Sequence, residues 1–111
     1  MTGRLTGDWT ISKQAASSNA AKGAVAISFH ARDVNLVMGT PPRTPSVRFR
    51  VLLDGRPPGD ARGGDVDAQG SGMATEQRMY QLIRQTGPVE DRRVDIEFAE
   101  PGVEINVFTF G

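Results

Sequence analysis

Short segments in which apolar and polar residues alternate recur along this chain of 111 residues. The clearest is SVRFRVLL at 46–53, where every second residue is apolar and arginines stand between them. The stretch GVEINVFTFG at 102–111 has a similar pattern and predicts a strand that runs to the last residue. Because successive side chains of a strand point to opposite faces, each segment needs a facing sheet to bury its apolar side. The sequence therefore predicts a closed unit made of β-sheets.

Other segments extend this pattern along the chain. Predicted strands lie at WTIS (9–12), AVAISFHA (24–31), VNLVM (34–38) and RVDIEF (93–98), with 34–38 as the hairpin partner of 24–31. The segment MATEQRMYQLIRQ at 73–85 fits a helix through Met79, Leu82 and Ile83, but its alternation and glycine-rich flanks favour a strand. Seven or eight short strands between turn signals predict a single all-β domain over 1–111, an antiparallel β-sandwich of the jelly-roll type.

Turn and loop signals separate these strands. Asp54-Gly55 predicts a tight turn after 46–53. The glycine-, proline- and aspartate-rich stretch 56–72 predicts a long loop that is either functional or mobile, and 14–23 predicts a second loop. The apolar phase of the last strand slips between Val107 and Phe108, which predicts a bulge there or pairing with both layers.

Composition excludes several classes of function. Thirteen lysines and arginines balance 13 aspartates and glutamates, so no basic field exists for nucleic acid or an anionic membrane. No segment is long and apolar enough to insert in a membrane, and 1–10 lacks the apolar core of a signal peptide, so a role outside the cytoplasm predicts a longer parent protein. The absence of cysteine excludes thiolate chemistry. Without a nucleophile elbow or a phosphate-binding loop, the sequence predicts no enzyme and no cofactor.

A set of short motifs across the chain resembles one known family. The motifs are GDW (7–9), FHARDV (29–34), LV (36–37), VLLDGRP (51–57), RMYQLI (78–83) and FTFG (108–111). They resemble, in order, the C-terminal domain that follows the thioredoxin-like domain of bacterial DipZ-type cytochrome c biogenesis and redoxin-family proteins. This resemblance implies a sandwich similar to carbohydrate-binding modules and galactose-binding-like domains, held extracytoplasmically, in the periplasm or cell envelope, beside a disulfide-handling domain. The chain lacks the thioredoxin domain and its cysteine pair, so the resemblance assigns it no redox residue.

Two aromatic residues are candidates for a sugar-binding surface. Sugar-binding modules need flat aromatic faces for the C–H-rich side of a sugar ring, together with planar donors and acceptors for its hydroxyls. Trp9 and Tyr80 are the candidate platforms, since the phenylalanines fall mostly on predicted inner faces. Each has a structural alternative, because Trp9 could seal one end of the sandwich and Tyr80 could bury its ring and bond a backbone carbonyl.

Two arginines on one predicted strand are the next candidates. Arg48 and Arg50 would lie opposite Asp95 and Glu97 if their strands shared a sheet. This arrangement would give cross-strand ion pairs worth a few tenths of a kcal/mol each. Alternatively, the same row of side chains would line a concave face and contact sugar hydroxyls.

His30 and Arg78 complete the candidate set. His30 lies on the outward phase of its strand and, as the only histidine, does not make a zinc site without other good ligands. Arg78 would either clamp an acidic group or pair with Asp33 or Asp54. No metal is predicted, although four loop carboxylates could gather calcium as an alternative: Asp54, Asp60, Asp65 and Asp67.

These features favour a non-catalytic accessory module that binds carbohydrate, a cell-envelope glycan, and so places an attached redox domain near its substrates. The alternative is a protein-interaction or structural module that docks on the thioredoxin-like domain or its client protein, with no small-molecule ligand.

Overall fold

The computed structural model describes residues 3–111, which form two facing antiparallel sheets of five strands each. The strands are β1 Gly3–Thr6, β2 Trp9–Ile11, β3 Ala16–Ser18, β4 Ala24–His30, β5 Asp33–Gly39, β6 Val47–Leu53, β7 Ser71–Ala74, β8 Arg78–Arg84, β9 Asp91–Phe98 and β10 Glu104–Phe110. The first sheet has the order β1-β4-β9-β6-β7, and the second has β2-β3-β10-β5-β8. The predicted all-β sandwich is confirmed. A single short 3-10 helix, Gly59–Ala61, stands among the described elements, none of which is a helix able to cross a membrane.

The core lies between the sheets and is built from the apolar phase of each strand. On β6, Val47, Phe49 and Val51 are buried while the arginines between them are exposed. On β9, Ile96 and Phe98 have no exposed surface. Burying a large apolar side chain stabilises the fold by about 1.5–3 kcal/mol. The alternation in the sequence therefore sets which face of each strand packs inward.

The predicted hairpin between 24–31 and 34–38 is wrong. β4 pairs with β1 and β9, whereas β5 pairs with β8 and β10 in the other sheet. The chain crosses between the sheets at Arg32, whose backbone N–H donates to the carbonyl oxygen of Gly111 at 3.0 Å. The strand prediction for 73–85 is confirmed, but a turn divides that segment into β7 and β8, again in different sheets. Alternation identifies the buried face of a strand, not its partner.

Turn chemistry was more informative than the spacing of strands. Asp54 and Gly55 have φ angles of 51° and 80° and form the predicted two-residue turn. Leu53 and Arg56 exchange backbone hydrogen bonds of 2.7 and 3.1 Å across it. The predicted bulge in the last strand is present one position earlier, where the register shifts between Ile105 and Val107.

Two predicted loops contain short strands that the sequence pattern did not reveal. β3 lies within 14–23, between β2 and β10, and β7 begins within 56–72. The remainder of the long loop is held by backbone bonds along β8, from Gly63 N–H to Leu82 O at 2.9 Å and from Asp65 N–H to Gln81 O at 3.1 Å. The loop therefore covers the edge of the second sheet and then supplies the edge strand of the first.

Candidate ligand-binding groove

An open groove of about 920 Å³ lies on the outer face of the first sheet. It crosses β7, β6 and β9 and reaches the turn before β4. Its polar and flexible lining comes from Lys22, Arg48, Arg50, Ser71, Met73 and Glu97. The strand register makes this surface continuous, because Arg50 is directly opposite Ser71 on one side and Glu97 on the other. The groove thus joins residues that are widely separated in sequence.

Arg48 is fixed by an ion pair at one end of the groove. Its guanidinium donates three hydrogen bonds of 3.0–3.3 Å to the Glu100 carboxylate, and its backbone N–H donates a fourth of 3.0 Å. These bonds lower the pKa of the Glu100 carboxyl and raise the pKa of Arg48. The predicted pairing of Arg48 with Asp95 or Glu97 is wrong, since Asp95 instead accepts a bond of 3.0 Å from Arg93 on its own strand.

Arg50 and Glu97 are opposite each other, as the sequence predicted, but they do not form an ion pair. Within residues 3–111, neither side chain has an oppositely charged partner within 4.0 Å or a hydrogen bond. Both side chains are exposed. A planar cationic donor and an anionic acceptor therefore stand side by side on the groove floor, accessible to a ligand.

Trp9 lies behind the groove. Its indole N–H donates to the carbonyl oxygen of Thr6 at 2.9 Å, and its half-buried ring meets Phe98 edge-on with centroids 6.0 Å apart. A Cβ atom on Gly23 would lie 3.2 Å from this ring, so Trp9 packs against the turn that carries Lys22. The Trp9 ring is therefore held by packing and by a hydrogen bond to the backbone.

Tyr80 and Arg78 lie on β8 in the other sheet. The Tyr80 ring is fully buried, and its hydroxyl donates to Glu76 O at 2.7 Å and accepts from Thr75 N–H at 2.9 Å. Its ring therefore offers no face to a ligand in this structure. The guanidinium of Arg78 lies 3.9 Å above that ring and donates a 2.9 Å bond to Asp65. The predicted partners of Arg78, Asp33 and Asp54, are wrong.

Asp65 fastens the long loop to β8. Partial burial raises the pKa of its carboxyl, but bonds from the Arg78 side chain and the Gln81 backbone, together with the charge of Arg78, lower it further than burial raises it. The carboxylate is therefore the form that this environment favours. The clamp joins the two sheets, because the loop continues into β7 and the groove wall.

His30 lies at the opposite end of β4 from the groove. Its Nδ1 atom is 2.9 Å from Asp91, and both side chains are exposed. His30 is six positions along the strand from Ala24, the neighbour of Glu97, which corresponds to about 20 Å. The structure therefore brings Arg48 and Arg50 together and leaves His30, Arg78 and Tyr80 elsewhere.

The four carboxylates considered for calcium have separate protein contacts. Asp54 accepts from Arg93 N–H at 2.9 Å, and Asp67 accepts from two backbone N–H groups that follow it. Asp65 is held by Arg78, and Asp60 lies 3.9 Å from Arg62. No group of three or more potential metal-ligating side chains occurs in the part of the chain that the structure describes.

Sequence reasoning missed three groove residues, Lys22, Ser71 and Met73. All three lie in the predicted loops or at the end of one, where no alternation marks a face. The one available signal for a short strand was the segment Ser-Gly-Met-Ala at 71–74. This segment pairs with β6 because the Asp54-Gly55 turn and the following loop bring the chain back to that strand.

Two facing antiparallel sheets, with an open groove on the outer face of one of them, make this domain a jelly-roll β-sandwich. Residues 2–111 match the family described as the thioredoxin-like C-terminal domain, and the chain belongs to that family. No curated protein matches it.

Solved structures share the fold. A family two carbohydrate esterase from Cellvibrio japonicus is similar with a TM-score of 0.73 and 12% identity over 97% of this chain, which spans 30% of the esterase. The module CsCBM6-3 from Clostridium stercorarium, in complex with cellobiose, is similar with a TM-score of 0.55 and 14% identity over 97% of this chain and 86% of the module. The carbohydrate-binding module CBM36, in complex with calcium and xylotriose, has a TM-score of 0.51 at 8% identity, with both chains fully covered. At these identities the likeness is one of fold.

Proposed function

We propose that this domain is a non-catalytic accessory module that binds a cell-envelope glycan in the groove of the first sheet. In this proposal it works outside the cytoplasm and places an attached thioredoxin-like redox domain near its substrates. The observation that carries the proposal is the groove, where Arg50 and Glu97 stand together and neither side chain has an ion pair or hydrogen bond within residues 3–111. The family assignment and the fold shared with carbohydrate-binding modules support it.

The groove has the chemistry to recognise hydroxyl groups on a sugar. Arg50 supplies planar donors, Glu97 supplies acceptors and Ser71 supplies a hydroxyl that does both. Met73, which is 47% exposed, offers a polarizable apolar surface to the C–H side of a ring. Phe49 and Phe98 belong to the groove lining but are almost fully buried, so Arg50, Glu97 and Ser71 supply the polar contacts and Met73 supplies the exposed apolar one. Four or five such bonds at about 1 kcal/mol each correspond to a dissociation constant on the order of 0.1–1 mM.

The arrangement of titratable groups supports a binding role over catalysis. Ser71 is the hydroxyl that lines the groove, but the sole histidine of the chain is at the far end of the sheet. Asp95 and Glu97 project outward from one strand, and Asp95 is held by Arg93. Neither arrangement provides the closely placed base or the paired carboxylates in an apolar site that hydrolysis requires.

A glycan titration with matched variants tests the proposal. The domain is titrated with envelope oligosaccharides by calorimetry, while fluorescence follows Trp9 behind the groove. Arg50→Ala is expected to weaken binding by about five- to tenfold, since it removes two or more hydrogen bonds. Arg84→Ala is the matched control, an exposed arginine on the second sheet without a side-chain bond to residues 3–111. The proposal fails if no glycan binds at millimolar concentration, or if both variants weaken binding equally.

A protein-interaction role is the second candidate, because the second sheet carries an exposed apolar row. Val107 is opposite Val37, and Val37 is opposite Met79, so these three side chains cross β10, β5 and β8 on the outer face. Val107 is 53% exposed and Met79 is 45% exposed. Binding of a separately expressed thioredoxin-like domain to this apolar row, with no glycan bound, would favour the second candidate.

A further inference from the structure

The charges in the groove do not cancel. Arg48 is neutralised by Glu100, with which it shares several hydrogen bonds. Lys22, Arg50 and Glu97 remain, and none of the three has an ion-pair partner within 4.0 Å among residues 3–111. Two cations and one anion leave an excess positive charge on a surface whose chain is neutral overall.

The backbone fixes both free cations relative to the groove floor. Arg50 stands in the middle of β6, bonded on both sides to neighbouring strands. Lys22 has a φ of 64°, a left-handed conformation that holds it in the turn before β4. The next residue, Gly23, accepts a bond of 2.8 Å from the Phe98 N–H, which fastens this turn to β9. The cations therefore flank Glu97 from opposite sides of its strand.

We propose that the groove selects a saccharide unit that carries a carboxylate, an inference that rests on the proposed glycan-binding function. The Arg50 guanidinium is suited to bind the carboxylate through two parallel hydrogen bonds, and Lys22 adds a second positive charge. Glu97 accepts a bond from a ring hydroxyl, and its own charge keeps the groove from binding small anions indiscriminately. Met73 contacts the apolar side of the sugar ring.

A matched pair of ligands tests this selectivity. An array of neutral, uronic-acid and lactyl-ether acidic oligosaccharides identifies the scaffolds that bind, and each acidic scaffold is then compared with its own methyl ester by calorimetry. We expect the acid to bind about five- to tenfold more tightly than the ester, because charge-assisted hydrogen bonds are roughly twice as strong as neutral ones. The preference should shrink as ionic strength rises, since these charges are exposed.

Variants assign the preference to residues. Arg50→Gln keeps donors but removes the charge, and it should reduce the preference for acid over ester to less than twofold. Glu97→Gln should increase affinity for the acid about two- to fivefold and leave the ester unchanged or weaker. Arg84→Gln on the second sheet should change neither. The thermal unfolding midpoint of each variant is compared with that of the wild-type domain. An unchanged midpoint shows that the variant is folded, so that a change in affinity reflects binding.

The outcomes separate this inference from the function on which it rests. Acid and ester that bind equally, or a preference that survives Arg50→Gln, would overturn the inference and leave glycan binding intact. If nothing on the array binds, the proposed function fails and the inference fails with it. If the acidic oligosaccharide binds more tightly than its ester, and this preference is lost in Arg50→Gln but kept in Arg84→Gln, both the inference and the proposed function are supported.

Discussion

The outer faces of the two sheets differ, although their inner faces follow the same rule. Outside the first sheet lie a groove and charged side chains, including Arg48, Arg50 and Glu97. Outside the second sheet, the apolar row of Val37, Met79 and Val107 crosses three strands. Because burial determines only the inward positions, the outward ones are free to carry different functions. In the proposed function, the first sheet recognises the ligand, and the apolar row leaves the second sheet suited to contact with protein.

The long loop is attached to both sheets. Asp65 holds it to β8 of the second sheet through Arg78, and a few residues later it enters β7, the groove wall. Gly70 has a φ of 89°, and a Cβ atom there would lie only 2.0 Å from the carbonyl oxygen of Val51. The close approach of loop and β6 therefore requires glycine at this position.

The largest expected effect comes from the core that supports both faces. Phe98 is fully buried between Trp9 and Phe49, so Phe98→Ala should lower the free energy of unfolding by about 3–5 kcal/mol. Denaturant unfolding measures the change, with Met79→Ala on the second outer face as the control expected to cost below about 1 kcal/mol. Equal losses in the two variants would contradict the assignment of inner and outer faces.

A smaller effect is expected from the buried hydroxyl of the second sheet. Tyr80→Phe keeps the ring but removes the partner of the Glu76 carbonyl and the Thr75 N–H. The loss of these bonds should cost about 1–2 kcal/mol in denaturant unfolding. Because the groove lies on the other sheet, the folded variant should bind glycan with the same affinity as the wild-type domain. A loss of affinity with unchanged stability would show that the two faces are not independent.

The contact between Asp65 and Arg78 should affect how the stability of the domain changes at low pH. Since the folded environment lowers the pKa of Asp65, its stabilisation is present above the ordinary carboxyl value and is lost as the pH falls below about 4. Asp65→Asn should cost about 0.5–1 kcal/mol at neutral pH, because the pair is partly exposed, and should flatten the decline in stability below about pH 4. Thermal unfolding across this range measures it. If Asp65→Asn loses stability at low pH in the same way as the wild-type domain, the stabilising role of the Asp65 carboxylate would be contradicted.

The smallest effect on stability is expected at the apolar row. Val107→Lys should change the free energy of unfolding by about 0.5 kcal/mol or less, since Val107 is 53% exposed. Glycan affinity should be unchanged, whereas the binding of a thioredoxin-like domain that the second candidate function predicts for this face should be lost. Size-exclusion and pull-down experiments with Gln81→Lys as a neighbouring polar control distinguish the row from its surroundings. Weaker glycan binding in Val107→Lys would break the division between the faces.

The fold was predictable from sequence where a local rule applied. Alternation in 46–53 and 93–98 gave the buried faces of β6 and β9, and Asp54-Gly55 gave the turn. Pairing was not predictable in the same way, because β4 and β5 both present apolar residues inward from different sheets. The short strands β3 and β7 contain small or polar residues and depend on neighbours for their pairing.

The candidate site was predictable only in part. Arg48 and Arg50 lie on a strand with strong alternation, so their outward direction followed from the pattern. Trp9 and Tyr80 look the same in sequence whether they face solvent or core, and packing against Phe98 and Phe49 decides their position. The partners Glu100 and Asp65 come from turns and loops, where no periodicity relates sequence to space.

The most direct test of the account is a map of where a glycan binds. Amide NMR spectra of the whole domain, recorded during titration with an oligosaccharide that binds it, identify the residues at the binding site. The account predicts that the largest shifts cluster at Arg50, Ser71, Met73 and Glu97, with β5 and β10 unaffected. Shifts concentrated on the apolar row of the second sheet, or none at saturating glycan, would contradict it.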